Sequence, residues 1–211
     1  YRNDLIVRGG GPSENAFFID GIEIPNINHF ATQGASGGPV SILNSDLIRE
    51  ISFYTGSFPA NRGGSLSSVM DITLKDGNPD KQAFKATVGA SEVGVSASGH
   101  MGAGTTYIAS VRQSYLQLLF RLLGLPMLPN YIDGQFKSKT KIGQRDELTF
   151  IALAGFDNLR LNMEPDDKGD EYLLSYLPVL KQETFTVGAS YKHFSDRHTQ
   201  TYSIGFNYLN N

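Results

Sequence analysis

From Lys81 onward, apolar and polar residues alternate in segment after segment. A side-chain period of two belongs to the β-strand, whose successive residues point to opposite faces of a sheet. Phe84, Ala86, Val88 and Ala90 share one face, with Lys85, Thr87 and Ser91 opposite. The phase then shifts by one residue: Val93, Val95 and Ala97 are apolar, Ser96 and Ser98 polar. Such a shift requires a bulge or a tight turn, and the sequence predicts a turn at Ser91 to Gly94. Tyr107, Ala109 and Val111 oppose Ser110, Arg112 and Ser114. Ile132, Phe136 and Ile142 oppose Asp133, Gln135, Lys137, Lys139 and Lys141. Leu148, Phe150, Ala152, Ala154 and Phe156 come after them, although Ile151 and Leu153 spoil the polar face. Phe185, Val187, Ala189 and Tyr191 come next, then Tyr202, Ile204, Phe206 and Tyr208. The pattern predicts about seven strands.

The predicted connections are unequal. Short turns fall at 102–104, 144–147 and 195–198, and long ones at 116–130 and 160–180. Alternation of short with long places all long connections of an up-and-down meander on one rim, which is the plan of a membrane barrel. Several segments reach the ~9–11 residues that a tilted membrane strand needs. Composition agrees. Only 18% of residues are charged, against about a quarter in soluble domains. The 13 Phe and 10 Tyr can form interfacial girdles, although Trp is missing. No apolar run approaches the ~18 residues of a membrane helix.

The first part, to about Asp80, has a different texture. Asn15 to Ile24 (NAFFIDGIEI) reads as two short strands around Asp20-Gly21, a pair that accepts positive φ readily. Asn44 to Arg49 (NSDLIR) predicts a short helix capped by Asn44 or Ser45. It leads into a strand at Glu50 to Thr55, a glycine-rich bend at Pro59 to Gly64, and a final strand at Val69 to Leu74. Gly77 to Lys81 (GNPDK) separates this α+β part from the alternating segments.

Two stretches of the first part carry a resemblance. Ile6 to Ile24 (IVRGGGPSENAFFIDGIEI) resembles the Arg-Gly motif, hydrophobic run and Asp-Gly of the plug domain of TonB-dependent outer-membrane receptors. Leu47 to Leu74 (LIREISFYTGSFPANRGGSLSSVMDITL) is similar to that plug's helix, strand, glycine bend and last strand. One departure is Arg62 before Gly63, where the family usually has an aromatic residue. The resemblance implies an α+β plug domain over residues 1–80. Residues 81–211 would be the first seven or so strands of an antiparallel transmembrane β-barrel, a fragment of a barrel with about 22 strands. It also implies import of a scarce nutrient (a siderophore, vitamin or oligosaccharide) across the outer membrane of a Gram-negative cell, without catalysis and without a cofactor. The partners implied are outer-membrane lipid, a transported ligand of unassigned identity, and TonB, bound through a segment expected upstream of Tyr1. The chain opens with Tyr1 rather than Met, and is read as a piece of something longer.

The plug motif residues are then Arg8, Gly9, Asp20, Gly21, Arg49, Gly56, Arg62 and Gly63. Arg8, Arg49 and Arg62 are expected to pair with acidic groups on the barrel's inner wall, through charge-assisted hydrogen bonds. Arg112, Lys137, Lys139 and Lys141 fall on polar strand faces, where they line the lumen or touch the plug.

Other chemistries are weaker. A net charge of −3 argues against nucleic acid as a partner. With 0 Cys, disulfide scaffolds and Cys-based metal sites are excluded. Gly34 to Gly38 spells G-x-S-x-G, but a hydrolase elbow needs a strand before it and a helix after. Here Pro39 comes next, and a loop is the better reading. Gly9 to Gly11 lacks the ending of a phosphate loop. His193 and His198 flank a predicted hairpin turn without further ligands, and Asp166, Asp167, Asp170 and Glu171 crowd one loop without EF-hand spacing. Leu116 to Leu128 is a short apolar, helix-like run. Two rivals to the transporter are a soluble β-rich binding or adhesion module, whose sheet would bury its apolar face, and a hydrolase built on Ser36.

Overall fold

The structure is a computed structural model that describes residues 4–31, 37–162 and 179–211. Their architecture is mostly antiparallel β-sheet, in two sheets with one short helix.

The small sheet holds β1 (Asn15–Ile19), β2 (Ile22–Ile24), β3 (Ile48–Tyr54) and β4 (Ser68–Leu74), in the order β2-β1-β4-β3. The β1–β4 pair is parallel and the others are antiparallel. Asp20 and Gly21 join β1 to β2 with φ of 47° and 85°. Positive φ at both central residues is the turn whose twist suits a two-residue hairpin. The helix expected at Asn44 to Arg49 is shorter: a single 3₁₀ turn, Ser45–Leu47. The Asn44 side chain accepts from the Asp46 N–H at 3.0 Å, so the cap forms. The chain then becomes extended at Ile48, where pairing with Leu74 wins over a second helical turn.

The large sheet is a meander of β5 (Ala83–Val88), β6 (Glu92–His100), β7 (Thr105–Ser114), β8 (Met127–Ile142), β9 (Asp146–Leu161), β10 (Leu180–Phe194) and β11 (Thr199–Asn210). Each pairs antiparallel with the next, and the sheet is open, with β5 and β11 as its edges. The phase shift near Ser91 has a simple geometry. Val88 pairs with Val93 across a turn of Gly89 to Ser91, two to three residues earlier than predicted, closed by Gly89 N–H on the Glu92 carbonyl at 2.8 Å. Cross-strand partners share a face, so partners of opposite parity carry the apolar set over the turn. The long connection at 116–130 is partly ordered into α1 (Leu116–Leu122), which packs on β8. No described helix, α1 included, is long and apolar enough to cross a membrane.

One face of the large sheet carries the apolar phase and is open. Val111, Val187 and Ile204 are 50%, 40% and 74% exposed. The opposite face carries the polar phase and is covered by the small sheet over its central strands, so that Thr186 is 0% exposed, while the edge strands β5 and β11 are exposed throughout. A soluble sheet would do the reverse. The core explains the two residues that broke the alternation. Ile151 and Leu153, with Ile108, point to the covered face and complete a cluster whose other members are Phe17, Ile19, Ile22, Ile24, Ile42, Leu43, Leu47, Ile72 and Leu74. The polar face becomes apolar only where it meets the apolar underside of the small sheet.

Candidate functional site: the junction of the two sheets

Around that apolar spot the junction is built from charges, and the segment after β2 supplies the most enclosed of them. His29 is 0% exposed. Its backbone N–H is held by the Val40 carbonyl at 2.8 Å. Asp133 on β8 and Asp157 on β9 flank the ring because Asp133 pairs with Gly155 and Asp157 with Tyr131, which makes the two carboxylates diagonal neighbours. Nδ1 of His29 lies 2.5 Å from Asp157 Oδ1 and Nε2 lies 3.0 Å from Asp133 Oδ2. The second Asp157 oxygen accepts from the Phe30 N–H at 2.7 Å. The Tyr131 ring stacks on the imidazole at 4.1 Å.

Arg112 extends the network. It donates to Asp133 at 3.0 Å, to Glu92 at 3.1 Å and to the Ser41 carbonyl at 2.7 Å. Tyr131 donates to the other Glu92 oxygen at 2.5 Å. Three carboxylates thus surround one guanidinium and one imidazole. Burial pulls the imidazolium toward losing its proton. The hydrogen bonds and charges of Asp133 and Asp157 outweigh it, and hold the His29 pKa above its ordinary value.

A second cluster lies nearer the short turns. Lys137 on β8 is buried and donates to the Leu74 carbonyl at 3.1 Å. Its ammonium is 2.9 Å from Asp76 and 3.1 Å from Asp20. The Asp20 contact is an ion pair without hydrogen-bond alignment, and Oδ2 of Asp20 is left without a hydrogen-bond partner. Burial accordingly pushes the Asp20 carboxyl up, against the pull of Lys137. Asp76 behaves oppositely. Burial again works upward, but Lys137 and Lys139 together hold its carboxyl below the usual carboxylate range. Lys139 bridges Asp76 and Glu147, both at 3.1 Å. These groups, with Arg49, Arg62 and Lys192, line a polar cavity of about 650 Å³ between the sheets.

A third contact is steric. Gly188 and Gly205 face each other across β10 and β11 and leave a notch in the covered face. Ile22, at the start of β2, fills it: a Cβ on Gly188 would lie 2.7 Å from Ile22 Cγ1, and one on Gly205 2.8 Å from Cγ2. Beside it the Asn207 side chain donates to the Glu23 carbonyl at 3.0 Å.

The arginines expected to lock the first part to the wall sit elsewhere. Arg62 donates twice to Asp71 of its own sheet, at 2.9 and 2.6 Å, and stacks over Phe18 at 4.5 Å. Arg49 lies 3.9 Å from Asp76. Arg8, at φ 52°, lies over Gly56, where a Cβ would approach its Nη1 to 2.7 Å. In the second cluster the polarity is the reverse of that expectation: the large sheet supplies the cations Lys137 and Lys139, and the small sheet supplies Asp20 and the adjoining Asp76; Arg112 reaches the small sheet's side through the Ser41 carbonyl. Lys141 is exposed beside the β8–β9 turn, apart from the junction. Gly9, Gly21 and Gly64 take positive φ, and around Gly63 there is open space. His193 turns to Asp146 at 2.7 Å rather than to His198, and no cluster able to hold a metal occurs among the described residues. Ser36 and the acidic group Asp166, Asp167, Asp170 and Glu171 lie outside the described residues.

His29, Asp157 and the two facing glycines of β10 and β11 were not legible in the sequence. The signals were present but small: single carboxylates in the polar phase of two strands, and isolated strand glycines, which mark close approach of another chain segment.

No protein-family model and no curated protein matches the chain. Solved structures do. A mutant of the ferric enterobactin receptor PfeA from Pseudomonas aeruginosa aligns with a TM-score of 0.65 at 13% identity, over 96% of this chain and 34% of that one. The outer membrane transporter YddB from Escherichia coli aligns at 0.61 and 13%, over 98% and 32%. A PfeA mutant in complex with enterobactin aligns at 0.64 and 13%, over 97% and 34%. The chain thus shares the fold of outer-membrane transporter structures and spans about a third of their length.

Proposed function

We propose that the chain is the plug and opening barrel strands of a TonB-dependent transporter in the outer membrane of a Gram-negative cell. Residues 1–80 form the plug and 81–211 form barrel wall. The observation that carries this reading is the inverted large sheet, with its apolar face bare and its polar face covered by the small sheet. In lipid the bare face is the stable one, because hydrocarbon solvates it and the strands satisfy one another's backbone groups.

The chemistry of the junction supports a plug that is retained yet releasable. Its contact combines one compact apolar cluster with ion pairs, a notch and a polar cavity. Ion pairs at such a boundary exchange for water when parted, whereas a continuous dry interface gives a far larger penalty. Force delivered by TonB through a segment preceding this chain would part the two sheets, and the cavity beside Lys137 and Asp76 would widen into a path for a scarce nutrient. Arg8, Gly9, Asp20, Gly21, Gly56, Arg62 and Gly63 then shape the plug. Arg49 borders the path, and Arg112, Lys137 and Lys139 hold plug to wall.

Cysteine scanning of the full-length protein in membranes tests this. A lipid-confined thiol label should mark Val111→Cys, Val187→Cys and Ile204→Cys and spare Ser110→Cys and Thr186→Cys. Equal labelling of both sets refutes it. A soluble β-rich module predicts labelling of neither set and folding without detergent.

A further inference from the structure

We infer that His29 is a proton-binding catch: a single proton held between Asp133 and Asp157 keeps the small sheet seated on the large one, and its release at alkaline pH loosens the junction. The inference rests on the plug-and-wall reading above and adds its regulation.

The argument is one of donor counting. Both ring nitrogens of His29 face carboxylate oxygens, at 2.5 and 3.0 Å. A neutral imidazole has one N–H and one lone pair; only the imidazolium has two donors. Without the extra proton, one carboxylate meets a lone pair in a site closed to water. The neighbouring charges allow no other compensation. From β7 Arg112 already serves Asp133, Glu92 and the Ser41 carbonyl. From β6 comes Glu92, from β8 Asp133 and the Tyr131 phenol, which is committed to Glu92, and from β9 Asp157. With His29 charged, two cations face three anions. With it neutral, Arg112 alone faces the three. Releasing the proton to solvent therefore leaves a buried, uncompensated carboxylate, which is the costly way to break a buried pair. The site also belongs to both bodies: His29 and the Phe30 N–H come from the small sheet's side, and every acid from the large sheet.

The direction comes from linkage. A histidine whose pKa is raised in the seated state binds its proton more tightly there than in the free state. Its contribution is complete below about pH 6.5, the ordinary imidazole value. It is lost as pH rises through the seated-state value, tenfold in the seating equilibrium for each unit between the two.

The experiment uses the full-length protein in detergent micelles. Nitrogen-15 spectra of its histidines, compared with those of His29→Gln, assign the His29 ring. Spin labels at the exposed positions Leu66 and Arg197 report the distance between small sheet and wall from pH 6 to 10. We expect His29 to carry protons on both nitrogens at pH 7, with a midpoint above the ordinary imidazole value. The label distance should broaden across that same midpoint. Asp157→Asn should lower the midpoint, and His29→Gln should abolish the pH dependence between pH 6 and 10. A neutral His29 at pH 7, or a distance profile that His29→Gln leaves unchanged, overturns the catch while leaving the plug-and-wall reading intact. Labels that report separated sheets at every pH in the unmutated protein overturn both.

Discussion

Replacing Gly188 with alanine should loosen the small sheet from the large one, through a single atom. The residue has extended backbone, so alanine is conformationally admitted and the effect is steric. The new Cβ would sit 2.7, 2.8 and 3.0 Å from three carbons of Ile22. Carbon atoms in good contact lie about 3.5–4.0 Å apart, so β2 must retreat by about 1 Å or Ile22 must leave its rotamer. Overpacking of this kind costs about 1–3 kcal/mol. The cost should depend on Ile22 alone. Ile22→Ala removes all three clashing carbons, at its own loss of about 2–5 kcal/mol for a buried side chain. In that background Gly188→Ala should be nearly neutral, giving a favourable coupling of about 1–3 kcal/mol. Urea titration of the full-length protein in micelles, followed by hydrogen exchange at the Phe17, Ile19 and Ile72 amides, measures each corner of the cycle. An equal cost of Gly188→Ala in both backgrounds refutes the notch.

Asp133→Asn strips a partner from both Arg112 and His29, and should reduce seating by about 3–5 kcal/mol in the same titration. Glu92→Gln, which leaves His29 served, should cost less. The depressed Asp76 carboxyl stabilises the seated state above the ordinary carboxylate value, near pH 4, and its contribution is lost as pH falls through the lower seated value. Asp76→Asn should therefore flatten the acid limb of stability below about pH 4, and an unchanged limb counts against the Lys137–Asp76 pairing. Val187→Arg, on the bare apolar face, should cost about 2–4 kcal/mol in a bilayer and little in the unseating titration.

The strands were legible because alternation is a local property. Each strand of the large sheet carries its own phase, and that of Ile132 to Lys141 could be read from those residues alone. The Asp20-Gly21 turn was legible for the same reason. The junction was not. His29 and Asp157 are separated by 128 residues, and Lys137 is 63 residues from Leu74. Nothing local tells which carboxylate in a polar phase meets a cation. Arginine is the residue expected in bidentate locks, and that expectation pointed to Arg62. Nine residues away on its own sheet, however, Asp71 offered a partner at no cost in chain closure. Ile151 and Leu153 looked like noise in a barrel pattern, when they were the imprint of the body resting on them.

The glycine notch makes the attachment anisotropic. Along β10 the notch is fenced by Thr186 and Ser190, and along β11 by Ser203 and Asn207, while toward the interior it has no roof. Lifting Ile22 straight out gives up its apolar contact and the Asn207–Glu23 hydrogen bond beside it, whereas sliding it along either strand also drives it into a side chain within one step. A load applied perpendicular to the large sheet would peel this contact more readily than the same load applied in shear, which would meet a stop.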